Sequence, residues 1–592
     1  MTDLSGDKEA WLTHRREAIK KFLINAVIID NEPVLQSKVS NETSSRSPEA
    51  IATADEEDFA GTGKVNERLD EPRQDPPAPP STSADASSEL NIRLAADSFA
   101  DQGISCSFLL PDDSSQDEAK IKTRTLKMAG PADLVVIDWY LKGSSSSLTK
   151  QILSDLIRND LKEQGRLRLI CIYTNQNDVG DIVDECKKAL EQAGLKDPNT
   201  NPDEGTLTAN NFHLVVYIKK EVTVTDLPNK LIDAFSIFAD GILPAFALSA
   251  VAAIRRNVHH IITQFSKDLD AAYVANRLIS DPPGDVAELM RDLFASECDA
   301  ALGLECVADQ CLEKNVINWW LTDQDQPLNA ELKVNEDNNQ KIDRQFLGAL
   351  LAGKLNLQGD GTVDLREGTD ISFKESRRKR VAQSLHAEAG EEKATERKFA
   401  RLVVLKREAF GRSKLNPDSD WKPTLTLGTL LAKLGEDQKV EAYLYCLTPA
   451  CDTVRLQGKG RDFQFLPLEQ NNKKPSLIIM SPEKVELKLR AEFHSKHITK
   501  HEFQGDPVLG RVFAEREKHE QSTRYFFTSS SDRFLWLGEV RTDRAQRDLT
   551  EFTNKYLFEF TEFLSQFRKQ WMRSGIIDSE YLRLAGRNNG LL

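Results

Sequence analysis

Leu134-Val135-Val136-Ile137-Asp138-Trp139-Tyr140 is the stretch that decides the fold. Four apolar residues, three of them β-branched, run without a polar break into a single aspartate. A continuous apolar run of this length reads as a strand covered on both faces, and such strands belong to parallel sheets flanked by helices. A strand with one wet face would alternate instead.

The same signature recurs on either side, at Asn25–Asp30, Ile104–Leu110, Leu167–Tyr173 and Phe212–Ile218. Between the runs lie stretches with helical spacing: Leu90–Gln102, Asp117–Ala129, Leu148–Gln164, Val179–Gly194 and Asp226–Ala239. Five β/α alternations predict an α/β fold, an open, doubly wound parallel sheet of five strands within residues 1–240. One segment interrupts it. Residues 34–89 are rich in Ser, Pro, Ala and acids, as in Asp75-Pro76-Pro77-Ala78-Pro79-Pro80. They offer too little apolar surface to offset the entropy of ordering, so a disordered insertion after the first strand is expected.

Beyond residue 240 the pattern changes. Leu248, Val251, Ile254, Val258, Ile261 and Phe265 mark one apolar helix face, and residues 241–410 read as a helical region. Residues 411–545 read as a β-rich α+β domain, with strands at Pro423–Leu427, Glu441–Cys446, Phe463–Leu466, Ser476–Met480, Tyr525–Thr528 and Phe534–Leu537. Residues 546–592 read as a last helix, Leu549–Trp571, and a tail.

In an open parallel sheet, ligands gather beyond the carboxyl ends of the strands. The first strand there ends in Asp30-Asn31-Glu32, the third in Asp138, the fourth in Thr174 and the fifth in Lys219-Lys220. Acids, a lone aspartate, a hydroxyl and a lysine therefore converge on one edge. This order of motifs resembles the flavodoxin-like receiver domain of two-component response regulators, over roughly residues 20–240 less the insertion.

The resemblance implies a chemistry. Asp138 is the expected nucleophile towards a phosphoryl group, and Mg²⁺ the expected cofactor, because a hard cation removes the repulsion between two anions. Asp30, Asn31 or Glu32, Asp138 and the Tyr140 carbonyl are the expected metal ligands. Thr174 is expected to bind a phosphoryl oxygen, and Lys219 or Lys220 to neutralise charge. Two departures stand out. Asn31 replaces the family's usual second acid, and the usual Lys-Pro pair is absent. Tyr217 precedes Lys220 by three residues, the family spacing for a switch aromatic, which favours Lys220.

The resemblance extends to the response-receiver proteins of bacterial conflict systems, such as the receiver component of Detocs phage defence. That implies a sensor histidine kinase as partner, a receiver-bearing effector alongside, and a role as phosphate sink or adaptor. No separate enzymatic output is expected beyond phosphoryl acceptance and autodephosphorylation. Rival readings are a nucleic-acid-binding C-terminal half and a scaffold with an inactive receiver.

Composition bears on these classes. With 78 Lys and Arg against 93 Asp and Glu, the net charge of −15 argues against general nucleic-acid binding. One basic run, Arg377–Arg380, is better read as a solvated helix face. No apolar run is long enough for a membrane span, and Met1–Lys20 lacks the apolar core of a signal peptide, so a cytoplasmic chain is expected. Eight cysteines suit reduced thiols. Cys306/Cys311 and Cys446/Cys451 have spacing longer than a usual zinc knuckle and read as buried thiols. His259-His260 reads as a solvated face.

Overall fold

The computed structural model describes residues 4–34, 90–111, 117–162, 165–209, 211–279, 284–323, 330–335, 338–342, 344–351, 355–357, 363–365, 392–406, 421–456, 458–472, 475–481, 485–491, 497–519, 522–530 and 532–555. Two compact units result: Leu23–Phe238, and Met1–Phe22 together with Ala239–Leu592.

The first unit is built on strands β1 (Asn25–Ile29), β2 (Ser105–Leu109), β3 (Leu134–Ile137), β4 (Arg168–Thr174), β5 (Asn199–Asn201), β6 (Thr206–Ala209) and β7 (Phe212–Ile218). Their order is β2-β1-β3-β4-β7-β6-β5. The sheet thus has seven strands and is mixed, where five parallel strands were expected. The five expected strands are all present and parallel. The additional pair is a hairpin, β5–β6, laid antiparallel on the outer side of β7. The central strands β3 and β4 are buried at every residue, as their unbroken apolar runs require. Strand β2 lies at the rim and is only partly covered.

Helices α2 (Ile92–Asp101), α3 (Glu118–Ala129), α4 (Ser147–Lys162), α5 (Val179–Gln192) and α6 (Leu227–Phe235) connect the strands. Asp117 caps α3 by accepting from the Lys120 N–H at 3.0 Å, and Asn91 caps α2 by accepting from Leu94 at 3.0 Å. Each side chain satisfies one of the amide donors that a helix start leaves unpaired. Alternate strand residues then share a face. Val27, Ile29, Val135, Ile137, Ile170, Ile172, Leu214 and Val216 join one core with α4 and α5 residues such as Ile152, Leu156, Val183 and Leu190.

The insertion begins and ends at adjacent points. Pro33–Val34 pairs in parallel with Leu90–Asn91, and the Leu90 N–H donates to the Glu32 carbonyl at 3.1 Å. Except for Val34, the expected insertion lies outside the described residues. Its ends fix an expectation. Replacing residues 37–87 by about twelve Gly and Ser, the least a parallel connection needs, should change loop-closure entropy little. The melting temperature should move by no more than about 2–4 °C, the equivalent of about 1 kcal/mol. A larger drop in a thermal melt would show that the segment contributes packing.

In the second unit, α1 (Leu4–Phe22) buries Trp11, Ala18 and Ile19 and packs on α7 (Ile242–Arg256). The continuous stripe expected beyond residue 240 is broken. Helix α7 stops at Asn257, whose side-chain amide donates to the Ala253 carbonyl and to Glu305. The buried face of α7 is Ala245, Leu248, Ser249, Ala252 and Ala253, while Val251 and Val258 stay exposed. Small residues on that face let a neighbouring helix approach closely. The region expected to be helical also carries two antiparallel strand pairs, Ala330–Asn335 with Asn338–Ile342 and Leu355–Leu357 with Val363–Leu365.

The C-terminal portion is a nine-stranded sheet. It comprises β8 (Thr429–Leu434), β9 (Val440–Cys446), β10 (Gly460–Gln470), β11 (Leu477–Met480), β12 (Glu486–Ala491), β13 (Thr499–Gln504), β14 (Glu515–His519), β15 (Ser522–Thr528) and β16 (Arg533–Glu539). Alternation puts Leu430, Tyr445 and Leu466 in one core and Leu431, Cys446, Phe465 and Trp536 in another. In the expected strand Pro423–Leu427 only Thr424 forms a bridge, to Phe513, and the strand proper starts at Thr429. Helix α8 (Thr542–Lys555) is tied to the sheet by the buried Tyr445 hydroxyl, which donates to Asp548 at 3.1 Å. Arg377–Arg380 and the part of the last helix past Lys555 lie outside the described residues. Among the described residues no single helix is long and apolar enough to cross a membrane.

Candidate functional site

Sheet register builds the site. Ile29, Ile137, Ile172 and Val216 stand level across β1, β3, β4 and β7. The residues just after them, Asp30 and Asp138 among them, therefore emerge at one height. The ladder continues one step past the strands. The Asp30 N–H donates to the Leu109 carbonyl at 3.2 Å, Asp138 N–H to Ile29 at 2.9 Å and Lys219 N–H to Thr174 at 2.8 Å. Backbone hydrogen bonding thus fixes all three side chains at the strand ends.

Those side chains meet. Lys219 Nζ lies 2.6 Å from Asp138 Oδ2 and 2.8 Å from Asp30 Oδ2. All three residues are buried. The second oxygen of each acid is held by the backbone two residues on. Asp30 Oδ1 accepts from the Glu32 N–H at 2.8 Å, and Asp138 Oδ1 from the Tyr140 N–H at 3.2 Å. Each is an aspartate turn that fixes its carboxylate plane.

Parity explains which lysine enters. Tyr217 stands level with Asp138, and a strand's side chains repeat every two residues, so Lys219 shares its face and Lys220 does not. Lys220 is exposed. The spacing from Tyr217 that favoured Lys220 is overridden by this alternation. Tyr217 directs its hydroxyl at the Lys230 carbonyl, 3.4 Å away.

Charge at the centre is unbalanced. Two carboxylates face one ammonium. Burial raises the Asp138 carboxyl above its ordinary range; the Lys219 ammonium opposes that rise and the Asp30 carboxylate adds to it. For Lys219 burial works downward, but attraction to Asp138 and Asp30 outweighs it and holds the amine protonated.

Thr174 is buried at the end of β4, and its hydroxyl accepts from the Gln176 N–H at 3.3 Å. Asn31 is half-buried and Glu32 exposed beside Asp30, and Tyr140 is half-buried beside Asp138. Among the described residues no group of three or more His, Cys, Asp or Glu side chains is placed to hold a metal. Of the four cysteines expected to be buried, Cys311 and Cys446 are, while Cys306 is exposed and Cys451 half-buried.

Two positioning residues escaped the sequence reading. Thr149, in the first turn of α4, donates its hydroxyl to the Asp138 carbonyl at 3.0 Å. Tyr173 donates to the Val222 carbonyl at 2.7 Å and so fixes the loop that follows Lys219. A threonine in a helix start and a tyrosine in a buried strand carry no distinctive spacing. Only the buried hydroxyl of Tyr173, which must find a partner, was a signal.

Residues 22–224 match the family model of the response receiver domain. No curated protein and no solved structure matches the chain. This part of the chain is a receiver domain of the two-component type, the kind that accepts a phosphoryl group from a phosphodonor such as a histidine kinase.

Proposed function

We propose that Asp138 is the phosphoryl acceptor of this receiver. The observation that carries the reading is the convergence of Asp138, Asp30 and Lys219 within hydrogen-bonding distance at the strand ends. Asp138 attacks phosphorus in line through a carboxylate oxygen. The bond from phosphorus to the donor breaks, and its electron pair leaves with the donor, acetate when acetyl phosphate is used. Lys219 balances the charge of the acyl phosphate, and the Thr174 hydroxyl donates to a phosphoryl oxygen. Water attacking the same phosphorus restores Asp138.

The donor set suits Mg²⁺. Asp30 and Asp138 are oxygen ligands held by backbone bonds, and together with Lys219 they leave one net negative charge for a cation. Asp30, Asp138 and the Tyr140 carbonyl would hold the ion, with Asn31 or Glu32 at the rim. When bound, it screens the carboxylate from the incoming phosphoryl group.

Asn31 gives this site one acid fewer at the metal. The Asn31→Asp variant should therefore need less Mg²⁺ for half-maximal labelling by acetyl phosphate, by about tenfold for a gain of about 1.4 kcal/mol. Glu32→Gln should need more if Glu32 reaches the ion. A Mg²⁺ titration of labelling checks both. Unchanged curves in both variants would remove Asn31 and Glu32 from the ligand set.

The pathway we read is that of a kinase's non-toxic receiver partner in a bacterial conflict system, one that takes up stray phosphoryl groups. What supports it is the architecture: a receiver followed by a long extension of helices and an antiparallel sheet. Phosphotransfer from a kinase encoded beside this chain tests it, and its absence with every neighbouring kinase would count against it.

A further inference from the structure

We infer that the β5–β6 hairpin is the element through which the receiver reports its phosphoryl state; this rests on the reading of Asp138 as acceptor. The hairpin is not needed to build the site, since β1, β3, β4 and β7 supply every residue of it. Its turn, however, is packed on the segment that carries the phosphoryl-binding hydroxyl. Gly205 closes the turn with φ of +65°, and its N–H donates to the Pro202 carbonyl at 3.2 Å. A side chain there would stand 2.6 Å from Val179 Cγ1 and 3.2 Å from the Val216 carbonyl oxygen, so only glycine fits. A side chain at Gly180 would stand 3.6 Å from Pro202 Cβ, in ordinary contact with the turn.

Val179 and Gly180 open α5, five and six residues after Thr174. Between them, the Thr174 hydroxyl holds the Gln176 N–H, and the Val179 N–H donates to the Asn177 carbonyl at 3.0 Å. When the Thr174 hydroxyl turns to a phosphoryl oxygen, that short chain of bonds loses its anchor and the start of α5 is released. The hairpin's other side is tied to β7, so a shift of the helix start falls on the packing at its turn. The Val216 N–H donates to the Gly205 carbonyl at 2.9 Å, Thr206 to Ala209 run in register with Val215 to Phe212, and Thr208 Oγ1 lies 2.8 Å from His213 Nδ1. A rigid ladder meeting a movable helix start through close contact passes displacement on instead of absorbing it. Strand β5 then carries the change to the sheet's outer edge.

Hydrogen exchange of the full chain tests this, with beryllofluoride and Mg²⁺ as the phosphoryl mimic. Exchange rates should change by at least about threefold both at residues 176–182 and at residues 199–209. Val179→Ala should keep the response at 176–182 and lose it at 199–209, and should still be labelled by acetyl phosphate. A response confined to 176–182, or none at either segment in a chain whose mass shows labelling, overturns the inference and leaves Asp138 as acceptor. A chain that takes no label overturns both.

Discussion

Lys219→Met should lower the rate of labelling by acetyl phosphate by about 10²–10³-fold, the usual cost of removing one charge-stabilising donor from a phosphoryl or acyl transfer site. The cause is local. Lys219 Nζ is the only described cation within bonding distance of Asp138 and Asp30. Without it, two buried carboxylates share a site with no counter-charge, and one of them must take up a proton to stay buried. A protonated Asp138 is a poor nucleophile. The same imbalance predicts a second readout. Added Mg²⁺ should raise the melting temperature of Lys219→Met more than that of the native chain, because the ion replaces the missing charge. Lys220→Met should behave as native in both assays, since Lys220 is exposed. Equal losses from the two lysines would mean that Lys219 acts only through general surface charge.

The largest effect on stability is expected at Arg168. Its guanidinium is fully buried at the start of β4 and pairs with both oxygens of Asp160, at 2.7 and 2.9 Å. It also donates to the carbonyls of Ala129, Gly130 and Ala132, where α3 ends and β3 begins. Arg168→Met therefore strands one buried carboxylate and several carbonyls at once. Breaking a buried pair on one side costs about 3–5 kcal/mol. In a chemical melt of the receiver unit the double variant Arg168→Met, Asp160→Leu should recover much of that loss, because it removes the orphaned charge as well. No recovery would place the cost in the carbonyl contacts instead.

The parallel strands were legible because burial on both faces leaves unbroken apolar runs such as Leu134–Ile137, and the site was legible because parallel topology puts the ends of those runs at one edge. The β5–β6 hairpin was not. Asn199-Thr200-Asn201 lies at the edge with little cover, and Thr206–Ala209 buries only alternate residues, Leu207 and Ala209, so neither leaves an apolar run. Glu486–Ala491 and Thr499–Gln504 were hidden because charged residues alternate along them, and Glu515–His519, at the edge of the C-terminal sheet, because its first four residues are all charged. Lys219 and Lys220 could have been separated by strand parity, which is a stronger constraint than spacing from Tyr217. The break at Asn257 was hidden because an asparagine within an apolar period reads equally as a tolerated surface residue.

The most direct measurement is the position of the label. The native chain, treated with acetyl phosphate and Mg²⁺, should gain one phosphoryl group by intact mass, and peptide mapping should place it on Asp138. Asp138→Asn should gain none, and chelating the Mg²⁺ should prevent labelling of the native chain. Label that persists in Asp138→Asn, or that maps to another residue in the native chain, would contradict the account.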